Sequence, residues 1–269
     1  MTAAKNYLIL PAAGVGSRMK ADRPKQYLEL HGKTILEHTL DAMLNYGMAS
    51  GDKAGEPTDK AFEKIVLVVT KGDPYWQDIS EAEKYADNPR LMIADGGEER
   101  CHSVLNGLHA LENIAAQSDW VAVHDIARPC IRHSDLDLLF SDLTADGAIL
   151  AAPVRDTMKR GFSVGADSDD GSGNDSDNSG NQISETVERN QLWHALTPQV
   201  FPYSALIQAL EIALADGFQV TDEASALEHI GKHPSLITGR ADNIKVTHPD
   251  DLELCELFLT RNLNSKQPN

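Results

Sequence analysis

Cysteine is scarce in this sequence. There are three in 269 residues, Cys101, Cys130 and Cys255, far apart and without metal-site spacing. That excludes a disulfide framework and points to reduced thiols in a cytosol. Long apolar runs are missing as well. None approaches the about 20 residues that span a bilayer, so no membrane segment is expected. The N-terminus shows neither the charged nor the apolar region of a secretory signal. Bases are outnumbered, 24 against 41 acids, for a net charge of −17. Nucleic-acid binding wants a basic face, so that class is excluded. No Ser–His or Cys–His pair offers a nucleophile with its base. His229 and His233 are four apart, but Gly231 and Pro234 interrupt the segment, which reads as surface or turn rather than ligands. There is no internal repeat. Residues 165–181 hold five Asp and no base, so they cannot bury apolar surface and are expected to be disordered. The Glu that would complete a calcium loop is absent there.

What is present begins at residue 10: Leu-Pro-Ala-Ala-Gly-Val-Gly-Ser-Arg-Met, then Lys-Ala-Asp-Arg-Pro-Lys-Gln-Tyr-Leu. A short apolar run, Tyr7–Leu10, precedes it and reads as a strand. Gly14 and Gly16 carry no Cβ, so the backbone can turn sharply and approach a ligand. Successive N–H groups in such a turn bind phosphate. Arg18 and Lys25 then bring side-chain charge to it. The loop lacks the Gly-Lys-Ser/Thr of a Walker motif, and Met19 stands where a dinucleotide fingerprint needs a third Gly or Ala. A plain strand–helix turn would explain the glycines but not Arg18 with Pro24-Lys25-Gln26. The pattern resembles the signature of nucleotidyltransferases that act on nucleoside triphosphates. In a protein of net charge −17, any phosphate site must concentrate its cations locally.

Further along, strand-like and helix-like segments alternate. Strands are expected at 6–12, 64–70, 91–94, 120–123 and 148–152. Helical stripes run through Ile35–Leu44, with Gly47 near the end, and through Val104–Leu111. Residues 48–62 read as a loop insertion. This βαβα order predicts an α/β fold with a mostly parallel, Rossmann-like sheet covered by helices on both faces. After Pro153, residues 154–162 and 182–189 read as the halves of a hairpin around the acidic run. Helices are expected at 202–216, 222–230 and 249–261, with a short strand at 244–247. Pro249-Asp250-Asp251 suits a helix start.

Charged segments gather at the ends of these strands. Val123-His124-Asp125-Ile126-Ala127-Arg128-Pro129 closes one, where ligands bind in open α/β sheets. Asp125 there can hold Mg²⁺ or a ribose hydroxyl, and Arg128 a phosphate; a structural ion pair between them is the alternative. Asp95-Gly96-Gly97-Glu98-Glu99-Arg100 permits close backbone approach to a base edge. Four more polar segments supply Thr157, Arg189, Thr221 and Lys245, which suit a second phosphate site.

In this order and combination the segments resemble the 2-C-methyl-D-erythritol 4-phosphate cytidylyltransferase family. The pieces that carry the resemblance are Pro-Ala-Ala-Gly, Pro-Lys-Gln-Tyr, Gly-Gly-Glu-x-Arg, His-Asp-x-Ala-Arg-Pro, Ala-Pro-Val-Arg-Asp-Thr-Met-Lys, Leu-Trp-His-Ala-Leu-Thr-Pro-Gln, Thr-Asp-Glu-Ala-Ser-Ala and Asn-Ile-Lys-Val-Thr. They span nearly the whole chain. The resemblance implies one nucleotidyltransferase domain over 1–269, with a protruding hairpin arm at 154–189 that serves dimerisation and a disordered tip at about 165–181. It implies a cytoplasmic homodimer that joins CTP and 2-C-methyl-D-erythritol 4-phosphate. Arg18, Lys25, Arg189 and Lys245 are the implied catalytic residues. CTP is expected at Pro11, Ala12, Ala13, Gly14, Gly16, Lys25, Gly96, Glu98, Ser103 and Asp125. The polyol phosphate is expected at Asp125, Arg128, Thr157, Arg189, Thr221 and Lys245. Mg²⁺ would bridge the triphosphate near Asp125 and Asp242.

Three departures stand out: Ile126 where the family commonly has Ala, a longer loop at 48–62, and the acidic insertion. Two other readings stay open. One is a cytidylyltransferase for another polyol phosphate such as ribitol 5-phosphate, which would differ around Arg-Asp-Thr-Met-Lys and Asn-Ile-Lys-Val-Thr. The other is a non-catalytic nucleotide-binding protein, against which Arg18, Lys25 and Asp125 together argue.

Overall fold

Seven segments pair into one sheet in a computed structural model that describes residues 4–14, 19, 22–49, 53–80, 83–163 and 181–264. In chain order the elements are β1 (Asn6–Pro11), a 3-10 turn (Lys25–Tyr27), β2 (Glu29–Leu30), β3 (Lys33–Thr34), α1 (Ile35–Leu44), β4 (Lys64–Val69), α2 (Pro74–Ser80), α3 (Glu83–Ala86), β5 (Leu91–Asp95) and α4 (Arg100–His109). There follow β6 (Trp120–Val123), α5 (His133–Ser141), β7 (Ala148–Pro153), β8 (Met158–Ser163), β9 (Asn181–Val187), β10 (Trp193–Pro202), α6 (Tyr203–Ala215), α7 (Glu223–His229), β11 (Ser235–Thr238) and α8 (Pro249–Asn264). Sheet order is β11-β7-β10-β6-β1-β4-β5. The β1–β4, β1–β6, β4–β5 and β7–β11 pairs are parallel, and β10 runs antiparallel to β6.

The chain divides into two units, residues 1–151 with 195–269, and residues 152–194. In the first, the central strands β1, β4 and β6 are buried on both faces because they are apolar at nearly every position, not at alternate ones. Successive side chains point to opposite faces. Leu8 and Leu10 therefore pack with Ile65, Leu67, Leu36 and Leu40 on the side of α1. Tyr7 and Ile9 pack with Val66, Val68, Val104 and Leu108 on the side of α4. α1 starts where the sequence supplies a capping box: Thr34 Oγ1 accepts from the Glu37 N–H, and the Glu37 carboxylate accepts from the Thr34 N–H. Gly47, past its end, adopts φ +68°, a conformation that disfavours residues with a Cβ. A third cluster joins Ile35, Cys130, Val246, Cys255 and Leu259 under α8.

In the second unit β8 and β9 form an antiparallel ribbon, with Met158 opposite Val187 and a bulge between Arg160 and Gly161. Phe162 and Ile183 are exposed on it. Apart from Asn181, the acidic run lies outside the described residues.

The strand expected at 244–247 is not one: the segment is irregular, and its Val246 N–H reaches the Ala127 carbonyl at 2.9 Å. α2, α3, α5, β10 and β11 are elements that periodicity did not reveal.

Candidate functional site

A cleft of about 300 Å³ opens at the carboxyl ends of β1, β5 and β6. Its described lining includes Pro11–Gly14, Lys25, Gln26, Gly97–Arg100, Ser103, Asp125–Ala127, Lys245 and Thr247. Four chain segments far apart in sequence meet there because parallel strands deliver their loops to one end.

Backbone and side-chain hydrogen bonds fix the loop after β1. The Ala12 N–H donates to the Val68 carbonyl at 2.7 Å. Gln26 Nε2, on the 3-10 turn, donates to the carbonyls of Ala12 and Gly14 at 2.7 and 3.1 Å. Thr70 Oγ1 donates to the Ala13 carbonyl at 3.1 Å. Gly96 lies so close to Ala13 that a Cβ at 96 would overlap the Ala13 methyl. The loop after β5 is held by Ser103: its hydroxyl accepts from the Gly97 N–H at 3.0 Å and donates to the Glu99 carbonyl at 3.1 Å. Two glycine-bearing loops thus face one cleft.

Charge converges on Asp125. Arg100 Nε lies 3.0 Å from Oδ1, Lys245 Nζ 2.9 Å from Oδ2, and Arg128 Nε 3.5 Å from Oδ2. Burial opposes ionisation of Asp125. The charges of Arg100, Lys245 and Arg128 outweigh it and hold the carboxyl well below the usual carboxylate range. Arg100 also makes a two-pronged pair with Glu223, whose side chain has no exposed surface. Burial works against its charge, but Glu223 and then Asp125 raise its pKa above the ordinary guanidinium value. Arg128, nearly buried, donates from Nη1 to the Asn243 carbonyl at 2.7 Å, and its Nε has no hydrogen-bond acceptor. Lys25 Nζ donates to the Val246 carbonyl at 2.8 Å, which ties the first loop to the segment carrying Lys245.

Of the residues expected from sequence, the structure brings Pro11, Ala12, Ala13, Gly14, Lys25, Glu98, Ser103, Asp125 and Lys245 to the cleft. Gly96 packs behind Ala13, and Arg128 stands behind Asp125. Thr221 is exposed just before α7, its N–H donating to Ser225 Oγ at 3.1 Å. Gly16 and Arg18 lie outside the described residues. Thr157 and Arg189 belong to the hairpin unit, where Arg189 donates to the Arg155 carbonyl. Asp242 is not in the described lining; its oxygens pair with Arg132 at 2.9 Å and Arg240 at 2.7 Å. Sequence reasoning missed Arg100 and Glu223. Both sat in quoted segments, Gly-Gly-Glu-x-Arg and Thr-Asp-Glu-Ala; an acid and a base of opposite sign in two such segments were the available signal.

A mixed, mostly parallel sheet with two glycine-bearing loops and a cation cluster at its strand ends is the architecture of a nucleotide-binding α/β enzyme, and it fits a nucleotidyltransferase. Residues 7–261 match the family model described as IspD, 2-C-methyl-D-erythritol 4-phosphate cytidylyltransferase. The chain belongs to that family and is a cytidylyltransferase of the non-mevalonate isoprenoid pathway. It is 46% identical over 260 residues to the enzyme of that name from Vibrio vulnificus (strain YJ016), covering 96% of each chain. Against the Haemophilus influenzae (strain PittGG) enzyme it is 48% identical over 254 residues, covering 94% of this chain and 96% of that one. A crystal structure of 4-diphosphocytidyl-2C-methyl-D-erythritol synthase superposes with a TM-score of 0.73 at 34% identity, over 96% of this chain and all of the other. The Francisella tularensis enzyme gives a TM-score of 0.70 at 29% identity, over 95% of this chain and 100% of that one. Among the described residues no helix is long and apolar enough to cross a membrane.

Proposed function

We propose that the cleft binds CTP and passes its cytidylyl group to 2-C-methyl-D-erythritol 4-phosphate, giving 4-diphosphocytidyl-2-C-methyl-D-erythritol and pyrophosphate. The observation that carries this is the meeting of Lys25, Lys245 and Arg100 with the backbones of 11–14 and 97–99 around one space. A phosphate monoester oxygen forms the new bond to the α-phosphorus, and the bond from that phosphorus to the bridging oxygen of pyrophosphate breaks. The monoester's second pKa is about 6, so it attacks as a dianion and needs no general base. What the reaction requires is neutralisation of growing charge and in-line placement.

In this reading Lys25 and Arg18 stabilise the transition state and the leaving pyrophosphate. Lys245 and Arg189 place the attacking phosphate. Arg128, Thr157 and Thr221 contact the polyol phosphate, and Asp125 serves both substrates. Backbone groups of Ala12, Ala13 and Gly96–Glu98, with Ser103, read the cytosine; Gly14 and Gly16 let the backbone reach the triphosphate. Thr157 and Arg189 reach the site of the partner subunit in a homodimer joined by the hairpin arms. Exposed Phe162 and Ile183 on that ribbon support a surface made to be covered.

The two carboxylates considered for Mg²⁺ do not fit a protein-held ion as arranged. Asp125 faces three cationic side chains and Asp242 two. Mg²⁺ in this reading travels with the triphosphate. Three free cysteines agree with a reducing, cytoplasmic setting. Pyrophosphate release tests the assignment: CTP with methylerythritol phosphate and Mg²⁺ should react. Faster release with ribitol 5-phosphate, or with UTP, would overturn the specificity.

A further inference from the structure

We propose that His124 and Thr197 form a positioning pair, closed into a buried ring through Arg128 and Asn243, that sets Asp125 and Arg128 for the reaction. The proposal rests on the reading above that Asp125 and Arg128 meet the substrates.

The ring follows from donor and acceptor accounting. His124 has no exposed surface, and Thr197, Arg128 and Asn243 are nearly as buried. The imidazole Nε2 lies 3.1 Å from the Arg128 carbonyl oxygen, which can only accept. Nε2 therefore carries the proton and donates. In the neutral ring this leaves Nδ1 as an acceptor, 3.0 Å from Thr197 Oγ1. The threonine hydroxyl has one proton and gives it to Nδ1. Its lone pair receives the Asp125 N–H at 3.0 Å. Asn243 closes the circuit: its Nδ2 donates to the Thr197 carbonyl at 2.8 Å, and its backbone carbonyl accepts from Arg128 Nη1 at 2.7 Å, while its side-chain Oδ1 is buried without a hydrogen-bond partner. No bond in the ring can be reversed without stranding a donor.

The ring spans three separate pieces of chain: the end of β6, the middle of β10, and the segment before Lys245. The first of these delivers Asp125 and Arg128, the third delivers Lys245, and β10 braces the two through Thr197. A buried network of this kind is stiff because each unmade bond leaves a desolvated polar group. None of its four side chains other than Arg128 has to touch a substrate to matter. Thr197 fixes where the Asp125 backbone sits, and His124 fixes the carbonyl of the residue that carries the second guanidinium.

The test compares Thr197→Val, which keeps the shape and removes the hydroxyl, with Thr197→Ser, which keeps the hydroxyl. Displacement of reacting groups by about 1 Å costs on the order of 10²-fold. Thr197→Val should lower kcat by about 10- to 100-fold, beyond any change in KM for CTP, and Thr197→Ser should restore most of it. Circular dichroism and a melting curve establish that each variant is folded at the assay temperature. Nitrogen-15 NMR of the wild-type enzyme should show His124 as the neutral tautomer protonated at Nε2. A folded Thr197→Val enzyme with near-normal kcat would overturn the proposal. So would a wild-type His124 protonated at Nδ1, which decides the matter even if Thr197→Val fails to fold. Asp125→Asn serves as the separate control: normal turnover there would remove the site assignment itself, whatever the tautomer.

Discussion

Arg100 sits between two buried carboxylates, and removing either partner of its pair with Glu223 should have unequal costs. Arg100→Met strands the Glu223 carboxylate, which has no exposed surface. Breaking a buried pair from one side typically costs about 3–5 kcal/mol. Glu223→Leu is milder. Arg100 keeps Asp125 at 3.0 Å, and its side chain retains 30% of its exposure, so water relieves part of the loss. A hydrogen bond to a charged group sets that cost at about 1.5–3 kcal/mol. The double variant removes both charges and replaces them with apolar groups of similar size, which is often close to neutral. It should therefore be more stable than Arg100→Met alone. In a chain of this length, Arg100→Met should lower the melting temperature by roughly 6–20 °C. Urea unfolding of the wild type, both single variants and the double variant gives the coupling directly. If the double loss equals the sum of the single losses within about 0.5 kcal/mol, the two groups do not act as a pair and the reasoning is wrong.

Lys25→Ala and Arg18→Ala should each lower kcat by about 10²–10³ while weakening CTP binding less, as calorimetry beside steady-state kinetics would reveal. Arg189→Ala and Lys25→Ala homodimers should be nearly inactive, yet co-refolded mixtures should recover about a quarter of wild-type activity; no recovery despite verified exchange would put Arg189 in its own subunit's site. Deleting residues 166–181, which hold no side chain larger than Asp or Asn, should leave activity and melting temperature nearly unchanged. Burial pushes the His124 imidazole down to about 4. An unfolded histidine titrates at about 6.5, so the unfolded chain takes up a proton that the native state refuses. Stability should thus be unaffected by this group above pH 6.5 and fall by about 1.4 kcal/mol per unit between there and pH 4. Urea midpoints at pH 7 and 5 should shift less in His124→Gln; equal shifts would discount the effect.

The sheet was legible where a strand is a short, continuous, β-branched apolar run closed by turn residues, as in Ile65–Val69, which suits a strand covered on both faces. α1 was legible from its apolar stripe and the Gly47 past its end; its Thr34–Glu37 capping box emerged only in the structure. β10 was not: its first residues are exposed, its last are buried, and Pro198 interrupts it, so neither alternation nor a continuous run survives. β11 alternates over only four residues at the sheet edge. The error at 244–247 is instructive. Ile244 and Val246 carry the apolar spacing of a strand, but the Val246 backbone bonds to Ala127 and Lys25 rather than to a neighbouring strand. In the site, Lys25, Asp125 and Lys245 could be named because each lies in a charged segment beside a strand or loop end. That Asp242 faces Arg132 and Arg240 depends on residues that come together only in the fold.

The carboxylate of Asp125 also acts as a tethered competitor. Three cations already share it, so an incoming anion must displace a partner that is covalently part of the protein and present at high effective concentration. A small inorganic anion, with no other foothold in the cleft, gains too little by that exchange. A substrate phosphate, held also through the rest of its molecule, gains enough. Asp125→Asn should therefore bind orthophosphate, as calorimetry would read it, at concentrations the wild type ignores.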